Sequence, residues 1–349
     1  MPDSIIAIPQ LAPANKTASS SEARRLTRPG RALLDLIRAV AAIYVMASHA
    51  FGGAIAQLAQ EAVIAFFILS GFVVFYNEEE GKTGYWKRRL RRIYPTLIGA
   101  MLISIVIAWA NEELYKLNLK ELVGTIIGLQ DNPDLKPGVL MPPFLGNSPL
   151  WSLAYEMWFY VLFPPILQAY KRWPKETTHA VGFSCCVFYL TYVWMPNHFS
   201  LVGSYFLLWW AGAMAADSFK RGVYFPRRVY GWMMLWCVVA SVPFIIAPGT
   251  LGAYPALPFR HMFGGLIMLL IAETRIRHLF AKLADWLRHI ATTTASISFG
   301  IYVVHWPLLN QSQLVKNVGL PISMLLVAVC AWIIDALPSR LFRRRANAK

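Results

Sequence analysis

The sequence predicts an all-α fold: a polytopic membrane protein of about ten transmembrane helices with both termini cytoplasmic. Three observations carry that expectation. Hydrophobic residues make up 57% of the 349 and charged residues 15%, with a mean hydropathy of +0.46. Soluble domains carry about 25% charged residues. The apolar residues gather in stretches of the length that crosses a bilayer, about 20 residues. The basic residues collect between those stretches on alternate sides, as in cytoplasmic loops.

In chain order, residues 1–31 are polar and rich in Ser, Ala, Pro and Arg. They lack the apolar core of a cleavable signal and read as a disordered cytoplasmic tail. Spans are predicted at 32–51 and 54–76, followed by a basic inner loop at 77–93. The third span, 94–110, leads to a long outer segment, 111–149, with a short amphipathic run at 119–130 and a Pro/Gly-rich stretch ending at Pro149. Loops of that length carry function or disorder, and a lid or acceptor-binding element competes here with a plain surface re-entry. Spans then follow at 150–170, 177–195, 199–216, 229–247, 253–273, 292–313 and 319–337, with a basic tail at 338–349. The transmembrane domain is thus 32–337.

The charge census tests this arrangement. Of the 33 Lys and Arg residues, only Lys116, Lys120, Lys136 and Lys316 fall on outer segments, and only Arg38 and Arg260 within spans. All others lie on inner segments, so the net charge of +15 follows membrane topology and does not indicate nucleic acid. The four cysteines lie in apolar stretches without metal-type spacing, so inert buried thiols are expected, with no metal site and no permanently bound cofactor. The 13 Trp, 15 Tyr and 20 Phe suit the aromatic belts of membrane interfaces.

Polar side chains inside the spans call for a reason, because a charge at mid-span costs at least about 2.5–3.5 kcal/mol. Arg38 and His49 share the first span, eleven residues apart. They therefore project from one helix face, separated by roughly 16 Å along the axis. Arg38 then sits toward the cytoplasm and His49 toward the outside. A snorkelling Arg38 and an end-capping His49 are the structural alternative. Glu156 falls in the outer third of its span, as a functional carboxylate or a packing ion pair. His305 falls in the outer half of the ninth span, as an acid/base group or a satisfied core histidine. Interfacial anchoring explains Arg260 and His261 best, with acceptor contact the functional alternative for Arg260. These depths group His49, Glu156 and His305 outside, and Arg38, Ser70 and Gly71 inside beside the basic run Lys87, Arg88, Arg89, Arg91 and Arg92.

The same residues carry a resemblance to integral-membrane acyltransferase family three, whose members O-acetylate O-antigens and exopolysaccharides. LLDLIRAVAAIYVMASH (33–49) resembles its first helix, and FFILSGFVVFY (66–76) its second. YWKRRLRRIYPT (85–96), LWSLAYEMWFY (150–160) and SFGIYVVHWPLL (298–309) are similar to its later motifs, in the same order. Each motif alone is weak; five in order are strong. The chain departs from the pattern at Ile64, where many members are acidic; Glu61, one turn earlier, is the candidate substitute. The YEMWFY variant looks more like the exopolysaccharide and polysaccharide acetylases. Only RLFRRRANAK follows the last span, where some members carry an esterase-like domain.

The resemblance implies an O-acyltransferase of a bacterial inner membrane, with acetyl-CoA or another acyl-CoA as co-substrate and a glycan or lipid-linked glycan as acceptor. It implies that Arg38 and Ser70, with Arg88, Arg89, Arg91 and Arg92, bind the donor, and that His49 is the general base. Glu156 would orient that imidazole or bind the sugar, and His305 would be a second acid/base. Trp151 would stack on the acceptor, near Ser152 and Arg260, and Ser152 is the less favoured candidate nucleophile. A transporter or flippase for polysaccharide intermediates is the rival reading, since Arg, His and Glu inside spans also mark solute paths. No pair of Gly/Pro-broken helices in equivalent halves supports it. A catalytically silent scaffold is a third reading, opposed by the joint presence of Arg38, His49 and Glu156.

Overall fold

A computed structural model describes residues 26–78, 83–221, 225–246, 249–273 and 276–338. The helices in chain order are α1 (Arg28–Phe51), α2 (Gly53–Ala56), α3 (Ala59–Asn77), α4 (Tyr85–Ala110), α5 (Leu119–Ile127), α6 (Trp151–Arg172) and α7 (Pro174–Trp194). They continue as α8 (His198–Lys220), α9 (Phe225–Ile246), α10 (Leu257–Glu273), α11 (Ile276–Trp286), α12 (Arg288–His305), α13 (Leu314–Val318) and α14 (Leu320–Ala331). Two π-helical turns, Trp306–Gln311 and Trp332–Ala336, extend α12 and α14. Among the described residues no β-strand forms beyond one isolated bridge, Gln130 to Met141.

Each apolar stretch of the sequence coincides with a helix, and the protein is a helical membrane protein. Among the described residues, four segments are long and apolar enough to cross a bilayer: Arg28–Phe51, Gly53–Asn77, Tyr85–Ala110 and His198–Lys220. Val229–Val242 and Leu320–Ala336 are shorter apolar helices. Most of the two terminal tails lies outside the described residues.

Local chemistry moves several boundaries. α1 starts at Arg28, inside the segment assigned to the tail, because the Thr27 side chain accepts from the Gly30 amide and Pro29 suits a first turn. α4 starts at Tyr85, not at 94, because Lys and Arg are good helix formers that a hydropathy window rejects. The second span begins late, since Gly52 and Gly53 turn the chain with φ of 65° and 61°. The inner segment 274–291 is no bare loop, for it contains α11, which packs on α1.

The core is built on α8. Its most apolar stretch is 94% buried, as expected of a helix apolar on all sides. α3 and α8 touch backbone to backbone: a Cβ on Gly71 would lie 1.9 Å from the Trp209 carbonyl oxygen, and one on Gly212 would lie 2.0 Å from that of Ile68. Small residues permit this approach where no hydrophobic effect drives helices together.

Two prolines shape the site from a distance. Pro164, inside α6, has no N–H for the Tyr160 carbonyl one turn earlier, and the Tyr85 hydroxyl donates to that oxygen at 3.0 Å. Pro307 likewise frees the Val303 carbonyl, which accepts from Asn147 Nδ2 at 2.9 Å. The first bond ties α4 to α6; the second ties the end of the 111–149 segment to α12.

Gly212→Val is expected to abolish monodisperse protein on size-exclusion chromatography, because the added carbons meet backbone that cannot withdraw. Gly231→Ala is expected to leave the profile unchanged or raise the melting temperature, since nothing lies within 4 Å of its added Cβ and alanine is the better helix former.

Candidate active site

The first polar centre joins α1 to α12. His49 Nδ1 and His305 Nε2 lie 2.8 Å apart, with the two rings nearly coplanar at 6°. His305 is fully buried, and its Nδ1 lies 3.0 Å from the Ile301 carbonyl oxygen. A carbonyl only accepts, so with both imidazoles neutral His305 carries its proton on Nδ1. Its Nε2 then accepts from His49 Nδ1–H. The His49 Nε2 lone pair is thereby left to the outside of the pair, with no hydrogen bond among the described residues. This tautomer logic follows from the bonding network. Trp306 packs edge-on against His49 at 5.1 Å, and Asn310 Nδ2 donates to the His49 carbonyl at 3.1 Å.

The second centre is a cavity of about 200 Å³. Its charged lining comprises Arg38 from α1, Arg89 and Arg92 from α4, and Glu156 from α6. Arg92 is bonded to the buried Asp335 at 2.9 Å, and Arg89 to Glu78 at 3.2 Å while lying over the Tyr85 and Tyr160 rings. Arg38 makes no ion pair or hydrogen bond among the described residues, so its planar fork of donors is open to the cavity. Ser70 donates to Glu156 Oε1 at 2.8 Å, Tyr160 donates to the same oxygen, and Trp209 Nε1 donates to Ser70 at 3.3 Å. Ser152 also lines this cavity, its Oγ 2.7 Å from the Tyr302 hydroxyl. Tyr302 lies one turn before His305, with ring centroids 6.2 Å apart, so it stands between the two centres.

The sequence-predicted residues therefore divide. Arg38, Ser70, Arg89, Arg92, Ser152 and Glu156 share one cavity, and His49 and His305 share one hydrogen bond. Glu156 does not orient His49; that position belongs to His305. The depth argument had separated Glu156 from Ser70, whereas they touch. The reason is that the 111–149 segment folds inward, with Gln130, Asp131 and Asn147 fully buried. α6 consequently starts inside the protein and not at its surface. Arg88 donates to the Glu78 carboxylate at 2.9 and 2.7 Å and to the Thr83 carbonyl, and lies outside the cavity. Arg91 is exposed and also outside it. Arg260 is bonded to Glu61 at 2.6 Å, which makes both an anchor between α10 and α3. Ile64, at the position where many family members are acidic, is fully buried in the core.

Trp151 is 6% exposed, and the Lys136 ammonium sits 3.3 Å from its ring centroid. The face assigned to a sugar is thus occupied by a cation. Lys136 and Asp131 form a fully buried ion pair at 2.6 Å, completed by the Tyr155 hydroxyl donating to Asp131 at 2.6 Å. Burial pulls the Lys136 ammonium down to about 8, with the Asp131 charge opposing the shift.

Sequence reasoning missed Tyr160, Tyr302, Asn147 and Asp335. Asp335 had a signal, being the single acid in the last apolar stretch. Asn147 had none, since its partner is a carbonyl freed by a proline far along the chain.

A helical membrane protein with a basic cavity and a half-buried imidazole pair is the class of molecule that fold and site define. A family described as an acyltransferase domain matches residues 31–336, and the chain belongs to that family. Acyltransferase MdmB of Streptomyces mycarofaciens is 32% identical over 121 residues, covering 32% of this chain and 29% of that protein. Peptidoglycan O-acetyltransferase OatA of Listeria monocytogenes serovar 1/2a (strain ATCC BAA-679 / EGD-e) is 24% identical over 340 residues, covering 85% of this chain. Nodulation protein 10 of Rhizobium leguminosarum bv. viciae is 23% identical over 364 residues, covering 90% of this chain and 95% of that protein. The chain spans about half of the Listeria protein, 53%, and 29% of the Streptomyces one. No solved structure matches.

Lys136→Met leaves Asp131 buried without its cation. It is expected to cost about 3–5 kcal/mol, read as a lowered melting temperature in detergent. Pairing it with Asp131→Leu is expected to recover most of that loss.

Proposed function

We propose that this chain transfers an acyl group, most simply acetyl, from a cytoplasmic acyl-CoA to a hydroxyl of a glycan on the outer face of a bacterial inner membrane. In this reading the bundle crosses the membrane ten times with both ends cytoplasmic, following the distribution of Lys and Arg. The carrying observation is the chain Ile301 carbonyl, His305, His49, with bonds of 3.0 and 2.8 Å. It presents a basic imidazole nitrogen to an incoming hydroxyl. The relative named as a peptidoglycan O-acetyltransferase supports the same class of reaction.

The chemistry runs as one displacement. The acceptor oxygen attacks the thioester carbonyl carbon while His49 Nε2 takes its proton. The carbon–sulfur bond then breaks, the CoA thiolate leaves, and the His49 imidazolium returns the proton to sulfur. His305 is the positioning residue, since its Nε2 accepts the His49 Nδ1 proton and grows more strongly bonded as His49 becomes cationic. The Tyr302 hydroxyl is assigned as the neutral donor to the carbonyl oxygen as it becomes anionic. Ser152 has a phenol beside it and not a base, which favours direct transfer over an acyl-enzyme.

Arg38 is assigned to the donor, but not to the carbonyl under attack. The roughly 16 Å that eleven helical residues span keeps its fork away from His49. It suits instead the phosphate or amide-bearing arm of an extended acyl-CoA, since guanidinium binds phosphate as a planar fork. The cavity of about 200 Å³ is small beside the roughly 300–1,000 Å³ of sites that enclose whole ligands. It therefore receives part of the donor only.

In inverted membrane vesicles given labelled acetyl-CoA, the wild type is expected to label glycan, and His49→Ala to lower that rate by about 10²–10⁴-fold. His305→Gln is expected to lower kcat less, with the KM for acetyl-CoA unchanged, and Arg38→Gln to raise that KM. Equal labelling by wild type and His49→Ala contradicts the assignment, and glycan translocation without acetylation would support a transporter.

A further inference from the structure

A second cavity, of about 490 Å³, lies between the end of α4, the α5 helix and the π-helical turn that follows His305. Its polar lining is Ser104, Asn111, Glu113, Lys116, Glu121 and Gln311, with Leu145 among the apolar groups. Three features set it apart from the arginine cavity. The first is charge: two carboxylates and one ammonium leave it net negative, so an anionic donor is disfavoured there. The second is hydrogen-bond polarity. The Gln311 amide nitrogen donates to the Leu145 carbonyl at 2.8 Å, the Asn111 amide nitrogen to the Gln311 carbonyl at 2.9 Å, and the Lys116 ammonium to Glu113, each with at least one further N–H beyond that bond. The Gln311 Oε1 and Asn111 Oδ1 atoms make no hydrogen bond among the described residues. The wall thus offers acceptors and donors side by side, and its complement is a neutral ligand covered in hydroxyl groups, which do both.

The third feature is strain. Among the described residues only Glu112 and Leu145 are non-glycine residues at positive φ, 59° and 50°. Leu145 lines this cavity, and Glu112 lies between Asn111 and Glu113 in its wall. Such backbones persist only where their surroundings over-determine them. Leu145 is held on both sides: its amide serves the Glu121 carboxylate and its carbonyl accepts from Gln311. The cavity is also linked to the histidine pair through the chain, because Gln311 follows Asn310, whose side chain is bonded to the His49 backbone carbonyl. The π-helical widening of Trp306–Gln311 brings both side chains to their places, in keeping with the frequent use of π turns at functional sites.

We propose that this cavity is the acceptor site, binding a neutral pyranose unit of the glycan through Glu121, Asn111 and Gln311 and leading its hydroxyl to His49. The proposal rests on the acyl-transfer reading only for the class of ligand. Binding is therefore measured without turnover: purified His49→Ala protein, no acyl-CoA, and radiolabelled tetrasaccharides of glucose and of N-acetylglucosamine in equilibrium dialysis. Saturable binding of at least one sugar is expected. Glu121→Gln and Gln311→Leu are each expected to weaken it roughly tenfold or more, as loss of hydrogen bonds at a charged or amide group does. Ala108→Met, which fills the cavity without removing a polar group, is expected to weaken it too, with the size-exclusion profile of all variants unchanged. No saturable binding of either sugar, or binding equal in all three variants, overturns the proposal. Sugar binding intact in a wild-type protein that transfers no acetyl group overturns the acyl-transfer reading and leaves the cavity's assignment standing.

Discussion

A guanidinium held among apolar helices with no ion pair among the described residues is the constraint to which the rest of this structure answers. The other buried or half-buried cations described above each meet a carboxylate: Arg92 meets Asp335, Arg88 and Arg89 share Glu78, Arg260 meets Glu61 and Lys136 meets Asp131. Removing charges from water costs several kcal/mol per ion even after relaxation, and only close pairing repays it. Arg38 escapes that rule because it faces a cavity. The pairs around it are consistent with a scaffold that keeps competing carboxylates occupied, so that this one fork stays available. Glu156 lines the same cavity, but its Oε1 oxygen is held by Ser70 and Tyr160 and not by arginine.

Backbone supplies the other half of the organisation. Prolines inside helices free carbonyls, and in a bilayer a freed carbonyl has no water to turn to. Here Tyr85 and Asn147 fill two such vacancies and, in doing so, join α4 to α6 and the 111–149 segment to α12. The histidine–proline pattern at 305–307 thus does two things at once. It gives the imidazole its place at the end of α12, and it opens the π turn that carries Asn310 and Gln311 toward His49 and the outer cavity.

The helices were legible in the sequence because bilayer thickness imposes a length on apolar runs. His49, His305 and Arg38 were legible as polar exceptions within them. Their partners were not. One face of one helix says which residues share that face, as with Arg38 and His49, but not which other helix lies opposite. Hence the sequence reading gives Glu156 to His49 or to the sugar, and the 2.8 Å bond from the Ser70 hydroxyl to the Glu156 carboxylate shows only where α3 and α6 are seen side by side. The inward fold of 111–149 was hidden for a related reason. Its polar residues read as a solvated loop, yet Asp131, Lys136 and Tyr155 satisfy one another and go below the surface together.

Sidedness is the most direct test of the central claim, that donor and acceptor meet from opposite faces of one bundle. Oriented proteoliposomes with glycan sealed inside, facing the outer end of the protein, would receive labelled acetyl-CoA from outside, facing Arg38. The account predicts acetylated glycan in the lumen and free CoA in the bath. Labelling that occurs only when acetyl-CoA and glycan share a compartment would contradict it.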